Sequence, residues 1–194
     1  MKETEITVQV FDELEDIDKK LKDQGFNMIE NYQLNDWYFT HLKNIDGIKY
    51  QELLNNSILI REIVDDNPQI QLVFKKKELD DFGNVITEEK TKVNVSDLSK
   101  CLAIFQMAGF NNYATVKNNS YVYQKENISF VVQVIENLGI FIEYEEDETM
   151  REMVPTQKFE YMSSILKGLG LELGQDFSCK KVYMLLKKIR ASYK

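Results

Sequence analysis

Two pairs of carboxylates are the residues here whose type and spacing could do chemistry: Glu3 with Glu5, and Glu143 with Glu145. Each pair is a Glu-x-Glu. In an extended strand alternate side chains share a face, so both members of a pair project together. In Glu3-Thr4-Glu5-Ile6-Thr7-Val8-Gln9-Val10 the acids share a face with Thr7 and Gln9, and Ile6, Val8 and Val10 line the other. Gly139-Ile140-Phe141-Ile142-Glu143-Tyr144-Glu145 repeats the pattern. Taken singly, a Glu-x-Glu is most simply the solvated face of an amphipathic strand. Four carboxylates converging on one place repel strongly, and they need hard divalent cations or basic partners between them.

The elements that would position these acids follow from the rest of the chain. Asp12-Glu13-Leu14-Glu15 reads as a helix N-cap with an acid three positions on; Leu14, Ile17 and Leu21 recur at helical spacing, and Gly25 stops the helix. Asn27 to Phe39 is expected to be extended, ending in the β-prone cluster Trp37-Tyr38-Phe39. Residues 58–64 and 70–77 read as a hairpin around Asp65-Asp66-Asn67-Pro68, with a further turn at 80–84 and a strand over 85–93. Ser96-Asp97-Leu98 then opens a helix that ends at Gly109-Phe110-Asn111, as the first ends at Gly25-Phe26-Asn27. Each stop precedes an extended, aromatic segment, a correspondence that suggests a duplicated half whose strands close a shared barrel. Residues 127–134 and 139–145 form an expected antiparallel pair. The helices expected over 149–167, interrupted at Pro155, and over 178–192 would cover the sheet.

Composition narrows the function. The 194 residues suffice for one substantial core, and with 2 prolines and no low-complexity linker a single domain over 1–194 is expected. No apolar run approaches the ~20 residues of a membrane span, and the N-terminus has no apolar signal core, so a cytoplasmic protein without a membrane partner is expected. A net charge of −8 argues against a nucleic-acid surface but leaves room for a local basic pocket. His41 is the only histidine, which rules out histidine-based metal clusters. Cys101 and Cys179 lack metal-binding spacing and are expected to be reduced. There is neither a Gly-x-Gly-x-x-Gly nor a Gly-Lys-Ser/Thr segment, so dinucleotide and P-loop signatures are missing. Trp37, Tyr50 and Tyr161 are candidates for exposed aromatics that would allow a homodimer.

If the acidic and basic strands close into a barrel, the charged face is the lumen, where carboxylates take divalent cations and Lys or Arg takes phosphate oxygens. The ordered motifs resemble those of the CYTH superfamily, which groups class IV adenylate cyclases, thiamine triphosphatases and other triphosphate hydrolases. Glu3-Thr4-Glu5-Ile6-Thr7 is similar to its Glu-x-Glu-x-Lys, Asp36-Trp37-Tyr38-Phe39 to its Asp-x-Tyr-Phe, and Ser57-Ile58-Leu59-Ile60-Arg61 to its Leu-Arg-x-Arg strand. Leu72-Val73-Phe74-Lys75 resembles its Lys strand, and Leu138 to Glu145 its Leu-Gly-x-Phe-x-Glu-x-Glu; Lys181-Val182-Tyr183 loosely matches a C-terminal helix motif. The resemblance implies an α+β fold: a closed antiparallel eight-stranded β-barrel, the triphosphate tunnel, flanked by helices and made of two pseudo-repeated halves. Carried over by position, Glu3, Glu5, Glu143 and Glu145 would hold Mg or Mn, and Arg61, Lys75 and Lys117 would bind phosphate. The implied ligand is a small phosphate-rich molecule.

Three signature positions depart from the family. Thr7 stands for a Lys, Leu59 for an Arg and Gln133 for an Asp, and residues 118–120 supply no replacement for an expected Arg. Each missing charge-assisted phosphate contact removes on the order of 1.5–3 kcal/mol. Three functions are therefore compatible with the residues: a triphosphate phosphohydrolase, a class IV adenylate cyclase-like enzyme, or a phosphate-ligand-binding protein without catalysis.

Overall fold

The computed structural model describes residues 2–45, 47–79 and 85–192; the turn expected over 80–84 lies outside them. In chain order the elements are β1 (Lys2–Glu3), β2 (Glu5–Val10), α1 (Leu14–Asp23), β3 (Asn27–Thr40), α2 (Tyr50–Asn55), β4 (Ser57–Val64), β5 (Gln69–Leu79) and β6 (Val85–Val95). They continue as α3 (Leu98–Met107), β7 (Asn111–Lys125), β8 (Ile128–Ile135), β9 (Gly139–Glu145), a 3-10 turn (Glu148–Met150), α4 (Pro155–Lys167) and α5 (Lys181–Ser192). The fold is thus α+β, as expected, and the two hairpins form where the turn residues put them, β4 with β5 and β8 with β9. Helix α2 was not anticipated, because its six residues offer too short a period to read.

The strands form one sheet in the order β1-β6-β5-β4-β3-β7-β8-β9-β2. Since β1 and β2 are parts of one N-terminal segment parted at Thr4, eight extended segments supply the nine strands. The closed barrel is a correction: among the described residues the order is open, ending in β1 and β2. A physical reason lies at the outer edge of β2. Its odd-numbered residues give their backbone bonds to the segment 172–179, through Thr7 N–H to Phe177 O (3.0 Å), Cys179 N–H to Thr7 O (3.0 Å), Gly174 N–H to Gln9 O (2.8 Å) and Phe11 N–H to Glu172 O (2.9 Å). An edge satisfied by a loop is closed to a further strand.

The chain divides into two compact units interleaved in sequence, one of residues 3–32 and 118–180 and the other of 1–2, 33–117 and 181–194. In the first, the even-numbered face of β2 packs with β8 and β9 into a core of Ile6, Val8, Phe130, Val132, Ile142 and Tyr144, covered by Ile17 and Leu21 of α1 and Met162 and Leu166 of α4. In the second, Phe39 and Ile60 pack against Cys101 and Phe105 of α3, with Trp37 partly buried among them. Of the candidate dimer aromatics, Tyr161 is exposed and the Tyr50 side chain lies outside the described set.

The two matching helix stops read from the sequence are both formed. Gly25 (φ 85°) and Gly109 (φ 81°) adopt the left-handed conformation after each helix. Phe26 N–H bonds Leu21 O and Phe110 N–H bonds Phe105 O, both at 3.0 Å, while the glycine amides bond Lys22 O and Gln106 O. This is the same two-bond Schellman stop in both places. The helix starts differ. Asp97 caps α3 by accepting from Lys100 N–H (2.9 Å), but the expected capping by Asp12 does not occur: Glu13 occupies that position without a side-chain bond. Asp12 instead pairs with Lys20 Nζ (2.6 Å) and accepts from Glu172 N–H, and these donors hold its carboxyl below its ordinary value. Among the described residues no helix is long and apolar enough to cross a membrane.

Candidate functional site

The acidic cluster is built by the β2/β9 ladder. Glu5 stands directly opposite Glu145, and Thr7 opposite Glu143. Thr4 and Glu146, one step beyond, exchange the Glu146 N–H to Thr4 O bond (2.9 Å), so 4/146 is a hydrogen-bonded position. The alternation of an antiparallel ladder then makes 5/145 and 7/143 the non-hydrogen-bonded positions, where Cα atoms approach to about 4.5 Å and side chains lie closest. The consequence is measurable: Glu5, Glu143 and Glu145 each bring a carboxylate oxygen to within 4.8 Å of the others. Glu5 and Glu143 are half-buried and Glu145 is exposed. The backbone of Glu3 belongs to β1, but its side chain lies outside the described set.

The face that carries these acids is polar well beyond them. Ser120 stands opposite Gln133, Gln133 opposite Phe141 and Glu143 opposite Thr7, so by alternation these residues and Asn118 share one face. All four uncharged polar side chains are buried, Ser120 and Gln133 at 0% and 3% exposure and Thr7 and Asn118 at 4% and 8%. Ser120 Oγ and Asn118 Oδ1 satisfy each other at 2.7 Å. Two signature departures, Thr7 and Gln133, therefore sit on the acidic face as neutral buried groups; the third, Leu59, is buried in β4.

The cations expected to bind phosphate belong to the other unit, where Arg61 and Lys75 share a face of the β4/β5 ladder. Arg61 stands opposite Asp36 and grips it bidentately, Nε to Oδ1 and Nη2 to Oδ2, both 2.7 Å. Asp36 is 4% exposed, so the pair is shielded. Sequence reasoning quoted Asp36 as part of a motif without assigning it this partner, because cross-strand register is not written in either strand alone. Lys75 is half-buried and lies opposite the half-buried Lys90 of β6, a second ammonium not singled out beforehand. Lys117 is placed differently: it is exposed, between buried Val116 and Asn118, and so projects from the strand face opposite Asn118.

Behind the acidic cluster a second charged group was also missed. Glu146 Oε2 accepts Thr4 N–H (2.7 Å) and Lys158 Nζ (2.9 Å). Burial pushes the Glu146 carboxyl up, but these two donors outweigh it and hold the pKa below the ordinary value of 4.5. A third acid directly after Glu143-x-Glu145 was the available signal.

The chain is 27% identical over 188 residues to a Methanocaldococcus jannaschii protein named Putative adenylate cyclase MJ0240, covering 96% of this chain and 99% of that one. The PH1819 protein of Pyrococcus horikoshii matches with a TM-score of 0.71 at 19% identity, covering 96% of this chain and 99% of the other. A Hippeastrum protein, named Putative adenylyl cyclase HpAC1 and described by its dominant triphosphatase activity, matches with a TM-score of 0.61 at 16% identity over 96% and 95% of the two chains. The fold is shared with these structures. No family model matches the chain. Proteins named for adenylate cyclase and triphosphatase activity are the kind to which the motifs pointed.

The donor set can be tested against a hard cation. Two oxygens on one Mg, Mn or Ca ion, each 2.0–2.6 Å from it, lie at most about 4–5 Å apart. Carboxylate oxygens within 4.8 Å fall inside the about 5 Å that Ca spans, while the about 4 Å that Mg spans asks them to draw slightly closer; all-oxygen donors are the type such ions select.

Proposed function

We propose that this protein binds a small phosphate-rich ligand together with a divalent cation, Mg or Mn, held by Glu5, Glu143 and Glu145, and that its chemistry is of the triphosphatase type. The observation carrying this is the convergence of three carboxylate oxygens within 4.8 Å on a face that also carries the buried polar side chains of Thr7, Ser120 and Gln133. When bound, such an ion supplies charge neutralisation for phosphate oxygens. Glu3 is proposed as a fourth carboxylate from its sequence pairing with Glu5. Arg61 and Lys75 are the proposed phosphate partners, the Arg61 fork held flat by Asp36. Similarity to HpAC1 supports hydrolysis over cyclisation, since a dominant triphosphatase activity is described for that protein.

A second reading, ligand binding without turnover, is favoured by Thr7 and Leu59, which put buried neutral side chains where the resembled signatures carry Lys and Arg. Thermal-shift measurements followed by product analysis decide. With Mn2+ and tripolyphosphate at about 100 times Kd the native state gains about 2.7 kcal/mol. At roughly 2–4 °C per kcal/mol for a chain of this size, Tm should rise by about 5–10 °C, and Glu143→Gln should abolish the rise. Orthophosphate released from tripolyphosphate, ATP or thiamine triphosphate marks the triphosphatase. Cyclic AMP with pyrophosphate marks a cyclase, and a shift without product marks the binding protein. A Tm that moves with neither Mn2+ nor phosphates overturns the proposal.

A further inference from the structure

Glu146 and Lys158 flank the acidic cluster without belonging to it. Glu145 is the last residue of β9 and shares the polar face with Glu143; Glu146, one residue on, alternates toward α4, where Lys158 meets it. Lys158 and Glu146 side chains are 12% and 19% exposed, so the pair is shielded from water. Its geometry is specific. In a regular ladder Thr4 N–H would donate to the Glu146 backbone carbonyl; here it donates to Glu146 Oε2, and the same oxygen takes Lys158 Nζ. The other arm of the position, Glu146 N–H to Thr4 O, remains a backbone bond. A side-chain carboxylate thus completes the ladder one residue before β2 begins and one past the end of β9, and it does so immediately beside the Glu5/Glu145 pair.

We propose that Lys158 and Glu146 are positioning residues for the cation-binding carboxylates: Lys158 orients Glu146, Glu146 pins the Thr4 amide, and the pinned backbone fixes the separation of Glu5 from Glu145. This rests on the reading of Glu5, Glu143 and Glu145 as a cation site. Lys158 is linked to that site through Glu146 and the Thr4 backbone. Loss of such outer supports of a metal site weakens affinity about 10–100-fold.

Coulomb's law gives the opposite sign for one of the two residues, which makes the idea sharply testable. Removing the Lys158 ammonium from beside a cation site should, by charge alone, tighten cation binding. Positioning requires that it loosen. Mn2+ binding to the full-length chain is measured by titration calorimetry or electron paramagnetic resonance, well below the Tm of each variant. The set is Lys158→Met, Lys158→Arg and Glu146→Ala, with Tyr123→Phe, which removes the bond from Tyr123 to Asp18 in the same unit, as a control for general destabilisation. Lys158→Met and Glu146→Ala are expected to weaken Mn2+ at least about tenfold, Lys158→Arg to restore binding to near wild type, and Tyr123→Phe to leave it unchanged. Lys158→Met that binds as tightly as wild type, or tighter, overturns the positioning role while leaving the cation site standing. Wild type that binds no Mn2+ overturns both.

Discussion

At the scale of single residues, one charge pair is held across neighbouring strands and shielded from water. Arg61 and Asp36 form it, with two 2.7 Å bonds and side chains 21% and 5% exposed. Taking away one partner leaves a shielded charge uncompensated, whereas replacing both by apolar groups can be nearly neutral. Arg61→Met should therefore cost about 3–5 kcal/mol of stability, and the double variant Asp36→Leu/Arg61→Met much less than the sum of the single costs. Urea unfolding of the four proteins gives the coupling directly. Strictly additive losses would show that the pair contributes no more than two exposed groups.

At the scale of elements, α1 and α3 are stopped by one device used twice. The Cβ of an alanine at Gly25 would come no nearer than 3.7 Å to the Lys125 side chain, and one at Gly109 would meet nothing within 4 Å. Neither site is crowded, so the cost of substitution is the left-handed backbone itself. Gly25→Ala and Gly109→Ala should each lose about 1–2 kcal/mol, by similar amounts, in equilibrium unfolding. Losses differing severalfold would mean that the two stops are alike in geometry but unlike in strain. The ladder edge shows a second device: the segment 172–179 ties down the backbone of Thr7 and Gln9 in β2, and the Thr7 side chain lies on the polar face opposite Glu143.

At the scale of the molecule, the two units are interleaved, with the chain passing between them after residues 2, 32, 117 and 180. Strands β3 and β7 are each continuous through one of those passages. A strand unfolded in one unit and paired in the other would expose a ladder edge, so unfolding is expected in one cooperative step. Trp37, the single tryptophan, reports on one unit, and pulsed labelling of the buried thiol of Cys179 in a Cys101→Ala background reports on the other. The two midpoints in urea should coincide. Separate midpoints would establish that each unit holds its structure alone.

Much of this protein was legible in its residues because the signals were local. Alternation in Ile6, Val8 and Val10 assigned β2 its buried face, glycine stops placed the ends of α1 and α3, and two Glu-x-Glu motifs marked the strands that meet at the acidic cluster. Alternation names the face on which a side chain projects, but it is silent about which strand lies beside it. Pairing, register and edge cover join segments from a dozen to more than a hundred residues apart, and there the fold alone was decisive. It set Glu5 opposite Glu145, gave Arg61 to Asp36, tied Glu146 to Thr4 and Lys158, turned Lys117 outward, and filled the edge of β2 with residues 172–179 where a closing strand was expected.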